Sequence, residues 1–169
     1  GYVDGVFIIT GGAMTQSGGG FLQGPNIGLN AGGDIGTSSN PVLVNTQSLT
    51  VSGRNLYLSS IGHLTTVNLS GGNVVLLVGG NLSGGTIRAK NLTLLAFGSV
   101  GSANNPLRLV VPGAIVIASQ YGEIYYTNQL IRSTLLVSML LAGDSQMMLL
   151  IRFGQTIRGR LVILNILMV

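Results

Sequence analysis

The sequence predicts an all-β chain wound as a right-handed parallel β-helix (a β-solenoid), with coils of roughly 18–25 residues. Three observations lead there. Short stretches alternate apolar and polar residues with a period of two. Glycine and asparagine turns interrupt them every eight to ten residues, and the sequence repeats itself in register.

The repeat is the most specific of the three. Asn55-Leu56-Tyr57-Leu58, Asn73-Val74-Val75-Leu76 and Asn91-Leu92-Thr93-Leu94 share one form and start eighteen residues apart. Asn26-Ile27-Gly28-Leu29 has the same form upstream. A small-residue turn and a further apolar position follow, as in Gly33-Asp34-Ile35, Gly80-Asn81-Leu82 and Gly98-Ser99-Val100. A longer repeat overlies the short one: residues 27–44 match residues 92–109 at an offset of sixty-five, with Asn40-Pro41 matching Asn105-Pro106. Further on, Asn55-Leu56-Tyr57-Leu58 corresponds to Glu123-Ile124-Tyr125-Tyr126 after a slip of three. Sixty-five residues would be about three coils of roughly twenty-two. A unit this short cannot bury its apolar face alone and must stack on its neighbours. The expected result is a set of parallel strands about 4.8 Å apart, with Leu56, Val74 and Leu92 in one interior ladder. Asn26, Asn55, Asn73 and Asn91 are read as corner residues whose amides bond along the stack, and Asn40, Pro41, Asn105 and Pro106 are counted with them as structural corner or ladder positions. A β-sandwich has no reason to repeat in register, and the leucine-rich frame LxxLxLxxN is absent.

Composition agrees. Charged residues make up 7% of the chain, against about 25% in an ordinary soluble domain. Glycine supplies 27 of 169 residues, and Lys90 and Glu123 are the sole lysine and glutamate, so the vocabulary of exposed helix is missing. The formal charge of +4 reflects scarce carboxylates, and no Lys/Arg cluster with interleaved aromatics speaks for nucleic acid. The absence of cysteine removes disulfides, thiolate metal sites and thiol nucleophiles, and suits export through an oxidising space. No apolar run reaches the eighteen residues a spanning helix needs.

Two regions emerge: a β-helical repeat region, residues 1–128, and a divergent apolar segment, residues 129–169. The second holds three glycines, lacks the corner asparagine, and is expected to form irregular coils, a cap or a packing surface, with strands favoured. The chain opens and closes in mid-pattern, so a segment of something longer is expected.

The search for chemistry predicts no enzyme, no cofactor and no metal. Asp4, Asp34, Glu123 and Asp144 are far apart in the repeat count, whereas glycoside hydrolysis wants two carboxylates within about 10 Å. Asp34 sits in a Gly-Gly-Asp turn for backbone reasons. His63 is the single histidine, and its turn is read as solvent-facing. No G-x-S-x-G elbow or phosphate loop is present. Three Asn-φ-Ser/Thr sequons, at Asn68, Asn81 and Asn91, arise from corner asparagines followed by strand residues.

The strings NIGLNAGGDIG (residues 26–36), IGTSSNPVLV (residues 35–44) and NVVLLVGGNLSG (residues 73–84) carry a family resemblance. Over about Val6 to Asn128 the chain resembles the repeat region of filamentous-haemagglutinin-type, two-partner-secreted bacterial surface adhesins. The resemblance implies a secreted, extracellular rod on the bacterial surface, used for adhesion or display. Its partner would be a receptor or glycan on a host or neighbouring cell. A self-assembling filament or sheath subunit is the alternative, and a polysaccharide-acting β-helix enzyme comes third.

Overall fold

The computed structural model describes residues 5–129 in full and, beyond them, the backbone of three strands, residues 133–142, 146–157 and 160–168. Among the described residues there are fourteen strands and no helix. They wind as a β-solenoid of about seven turns, a stack of parallel coils.

Side one of the coil is built by β1 (Val6–Thr10), β3 (Asn26–Ala31), β5 (Ser48–Ser52), the first parts of β7 (Thr66–Val78) and β8 (Gly85–Ala96), β9 (Leu107–Val110) and β11 (Tyr126–Asn128). One ladder runs through Val6, Ile27, Leu49, Val67 and Gly85, and Leu107 pairs with Tyr126 below it. Side two is built by β2 (Leu22–Gln23), β4 (Val42–Asn45), β6 (Leu56–Ser60), the second parts of β7 and β8, and β10 (Ile115–Ser119). A narrow third side consists of single bridges, Leu64 to Leu82 to Val100 to Ile124.

The expected interior ladder is present: Leu56 pairs with Val74 and Val74 with Leu92, all within 1% of full burial. Ile35 extends it above and Ile115 below. Alternation does the sorting. In β6 the residues Leu56, Leu58 and Ser60 are buried while Tyr57 and Ser59 face outward. In β7 the residues Val74, Leu76 and Val78 do the same against Val75 and Leu77. Each fully buried Leu or Val contributes about 1.5–3 kcal/mol of transfer free energy, so the stack is held by its apolar interior.

Coil length is 18 residues where Leu49, Val67 and Gly85 stack, and 21 to 24 where loops bulge outward, as from Val6 to Ile27 and from Val100 to Ile124. The sixty-five-residue repeat therefore needs a correction. From Ile35, three coils lead through Leu56 and Val74 to Leu92, eight residues short of its repeat partner Val100. Val100 lies on the third side, in the ladder of Leu64 and Leu82. The long repeat spans three coils plus one side, because its 18-residue central coils are shorter than the average assumed.

Beyond the coils, β12 (Ser133–Ala142) joins β10 in parallel, with Ser119 opposite Leu140. β13 (Gln146–Ile157) and β14 (Arg160–Met168) follow as antiparallel neighbours. This segment thus continues side two as a meander and not as further coils.

Candidate functional site

The polar side chains of the solenoid gather at its corners, in two columns. In the first, the Asn55 amide donates to Asp34 Oδ1 at 2.9 Å, Asn73 to Asn55 Oδ1 at 3.1 Å, and Asn91 to Asn73 Oδ1 at 2.9 Å. Main-chain groups join in: Asn73 N–H donates to Asn55 Oδ1 and Ala114 N–H to Asn91 Oδ1, each at 3.0 Å. The structure brings Asn55, Asn73 and Asn91 together and places Asn26 elsewhere. Asn26 pairs with Ser48 at the start of side one, one side away. A bent corner strands a main-chain N–H, and a side-chain carbonyl one coil above satisfies it while the amide N–H₂ repeats the bond upward. Asn73→Ala removes two of these side-chain bonds and should cost about 1–2 kcal/mol in urea denaturation.

Asp34 heads this column. Arg54 donates to it from Nε at 2.9 Å and from Nη2 at 3.2 Å. The Arg54 guanidinium, aided by the Asn55 amide, holds the Asp34 carboxyl below its usual value. A carboxyl depressed in the folded state adds stability above its unfolded pKa, and this is lost as pH falls through the folded value. Arg54→Ala should therefore raise the Asp34 midpoint in a carboxyl NMR titration.

The second column was not foreseen. His63 Nδ1 accepts from Asn81 N–H at 2.8 Å, Asn81 Oδ1 from Ser99 N–H at 2.9 Å, and Ser99 Oγ from Glu123 N–H at 3.2 Å. His63 is exposed, as expected of its turn, but it also heads this column. Its ring lies against Gly80, where an added Cβ would meet it at 2.5 Å. The sequence signal was there: Gly62-His63, Gly80-Asn81 and Gly98-Ser99 recur at the same eighteen-residue spacing, and Gly122-Glu123 closes the series. Any short acceptor serves at such a corner, so the residue type varies while the glycine before it stays.

Asn40-Pro41 and Asn105-Pro106 close two loops of one design. Thr37 N–H and Ser102 N–H donate to the carbonyls of Asn40 and Asn105, both at 3.0 Å, and each Asn N–H returns a bond to the hydroxyl, also at 3.0 Å. Each Asn amide reaches the coil above, to Gln16 O at 2.6 Å and to Ser83 O at 3.1 Å. Pro41 and Pro106 then precede β4 and β9, where a missing N–H is tolerated. Both loops open on a left-handed glycine, Gly36 at φ 70° and Gly101 at φ 65°. An added Cβ would come within 2.5 Å of Tyr57 O and 2.3 Å of Tyr125 O, the two carbonyls related by the slip of three.

The outer faces differ. Side one presents a row of Thr50, Asn68, Thr86 and Arg108. Side two presents Ser59, Leu77, Leu95 and Ala118 in one row and Tyr57, Val75, Thr93 and Val116 in another. Beside Gly62-His63 a notch of about 460 Å³ is lined by Gln23, Pro25, Asn45, Gln47 and His63. At the last coil the buried Tyr126 hydroxyl lacks a hydrogen-bond partner, and burial pushes its pKa upward, so the phenol stays neutral.

Of the four carboxylates, Asp4 and Asp144 lie outside the described residues. Asp34 is engaged by Arg54 and Asn55, and Glu123 accepts from Tyr125 Oη at 2.5 Å. They stand in different columns at opposite ends of the stack, about 20 Å apart at one strand spacing per coil. No group of three or more His, Asp or Glu that could hold a metal occurs among the described residues. The described polar groups are arranged to hold coils together. Comparison with protein-family profiles, with curated proteins and with solved structures returned no match.

Proposed function

We propose that this chain is a structural rod, a β-solenoid segment of a large secreted or surface-displayed bacterial protein that holds binding elements away from the cell. The observation behind this reading is the use made of its polar groups: both corner columns and both loops spend them on the next coil, and the interior is apolar but for Thr46, Ser60 and Ser119, each bonded to a main-chain carbonyl. Such a stack is stiff along its axis, and about seven coils at 4.8 Å extend it by roughly 30 Å. The resemblance of residues 26–36, 35–44 and 73–84 to filamentous-haemagglutinin-type repeats supports an extracellular, adhesive setting. The partner in that setting is a receptor or glycan on a host or neighbouring cell, met by a face or a distant part of the rod. Antibody raised against the chain should label intact, unpermeabilised producing cells or their medium. Label that appears only after permeabilisation contradicts the proposal.

A second reading, a self-assembling filament or sheath subunit, draws on the first coil. Phe7 and Ile9 on β1 are 64% and 81% exposed, beside a strand edge that can accept another strand. A weight-average mass that climbs without limit as concentration rises would favour it.

A further inference from the structure

Positive charge on the solenoid is gathered in one place. Residues 5–129 hold four lysines and arginines, and three of them, Arg88, Lys90 and Arg108, face outward from side one on two successive coils. Arg88 and Lys90 lie two residues apart on β8, about 6.6 Å, and Arg108 lies one coil below Thr86, about 8 Å from Arg88. All three are exposed, and none makes an ion pair or a side-chain hydrogen bond with a described residue. Arg54, the fourth, is already taken by Asp34.

The surroundings say what chemistry complements them. No outward position of side one from β3 to β11 is a carboxylate; Asp34 and Glu123 belong to the two corner columns. The neighbouring outward positions are Asn68, Ser70, Thr86 and Thr127, each one strand spacing from a cation or from the next of them. These hydroxyls and this amide both donate and accept, as sugar hydroxyls do. No aromatic side chain faces outward over the same strands, so nothing there stacks on a nucleobase. Val110, half-buried, is the one apolar outward residue from β5 to β11, so the apolar anchors that centre a protein–protein contact are missing.

We propose that side one, at the coils of β8 and β9, binds a carboxylate-bearing polysaccharide such as a uronate chain. The Arg88 and Arg108 guanidinium forks match carboxylates two bonds at a time, and Lys90 adds a point charge. Sparse cations beside a neutral field of hydroxyls and amides complement a chain whose anions are spaced among many hydroxyls; a densely sulfated chain would leave most of its charge unmet. The proposal rests on the reading of the chain as a displayed rod whose partner is a glycan, and it names the face and the chemistry. Display is measured on cells and binding on the purified chain, so either can fail without the other.

The test is binding of the full 169-residue chain to immobilised polygalacturonate. Saturable binding is expected, weakened more than about tenfold as salt rises from about 0.05 to 0.5 M, with no binding to dextran. Arg88→Gln and Arg108→Gln should each weaken it about three- to tenfold, and the two combined with Lys90→Gln about a hundredfold or more, while the β-sheet circular dichroism persists. The single variants keep the test decisive if the triple variant fails to fold. Arg54→Gln removes the same unit of charge from a paired site and should leave binding unchanged. No binding to polygalacturonate overturns the proposal, as does equal binding to dextran or indifference to the side-one variants. Arg54→Gln weakening binding as much as Arg108→Gln overturns it too, because net charge alone would then suffice. Polyglutamate bound as tightly as polygalacturonate overturns the assignment to a polysaccharide, and dextran sulfate displacing polygalacturonate at equal charge overturns the assignment to carboxylate.

Discussion

Leu76→Asp will unfold this protein more readily than any surface change, lowering its stability by about 3–5 kcal/mol in urea denaturation. Leu76 is fully buried, paired with Leu58 above and Leu94 below in one interior ladder. A carboxylate there has apolar neighbours on both sides along the stack and no cation within the core. It either ionises at a large desolvation cost or stays protonated with an unmet hydroxyl, and both are expensive. Arg54→Ala is the matched control. Arg54 is exposed and its pairing with Asp34 is screened by water, so its loss should leave the unfolding midpoint nearly unchanged. Equal effects from the two substitutions would mean that the ladder is not interior.

The second large effect is Gly85→Ala. Gly85 opens β8 directly beneath Val67, at φ 125°, a conformation that L-residues rarely adopt. An added Cβ would stand 2.0 Å from the Val67 carbonyl oxygen, and the obstacle is main chain of the adjacent coil, which cannot rotate away. Relief requires either separating two paired coils or rebuilding the entry to β8, so a loss of about 2–3 kcal/mol is expected. Gly18→Ala tests whether backbone strain alone is responsible. Gly18 also has positive φ, at 84°, but nothing lies within 4 Å of its added Cβ. Its cost should be smaller than that of Gly85→Ala, and the difference measures the steric part.

The fold was legible because its rule is local. Along the strands of sides one and two, nearly every second residue is apolar and points inward, so the ladder of Leu56, Val74 and Leu92 could be written down from spacing alone. Coil geometry was less legible. Asn26-Ile27-Gly28-Leu29 and Asn91-Leu92-Thr93-Leu94 look alike in sequence, yet the first lies on side one and the second on side two. Both segments begin with asparagine and then alternate apolar residues, so likeness of sequence cannot say which side a segment occupies. Only the count of residues per coil does, and the loops at Asn40-Pro41 and Asn105-Pro106 alter that count. The column of His63, Asn81, Ser99 and Glu123 escaped for a related reason: its first three members differ in type and share only a side-chain acceptor for the next main-chain N–H, and Glu123 supplies the last of those N–H groups. The meander of β12 to β14 was hardest, since its unbroken apolar runs suit parallel and antiparallel pairing equally well.

Stacked parallel coils are the central claim, and distances between spin labels on one outer row test it most directly. The chain has no cysteine, so paired substitutions label cleanly. Along side one, Thr50, Asn68, Thr86, Arg108 and Thr127 occupy successive coils. With labels at Thr50→Cys and Arg108→Cys the account predicts a backbone separation of about 14 Å, and with Thr50→Cys and Thr127→Cys about 19 Å, one strand spacing more. Both distributions should be narrow, and excess unlabelled chain removes any contribution from pairs between molecules. A separation beyond about 30 Å, or no step of one strand spacing between the two pairs, would contradict stacked coils.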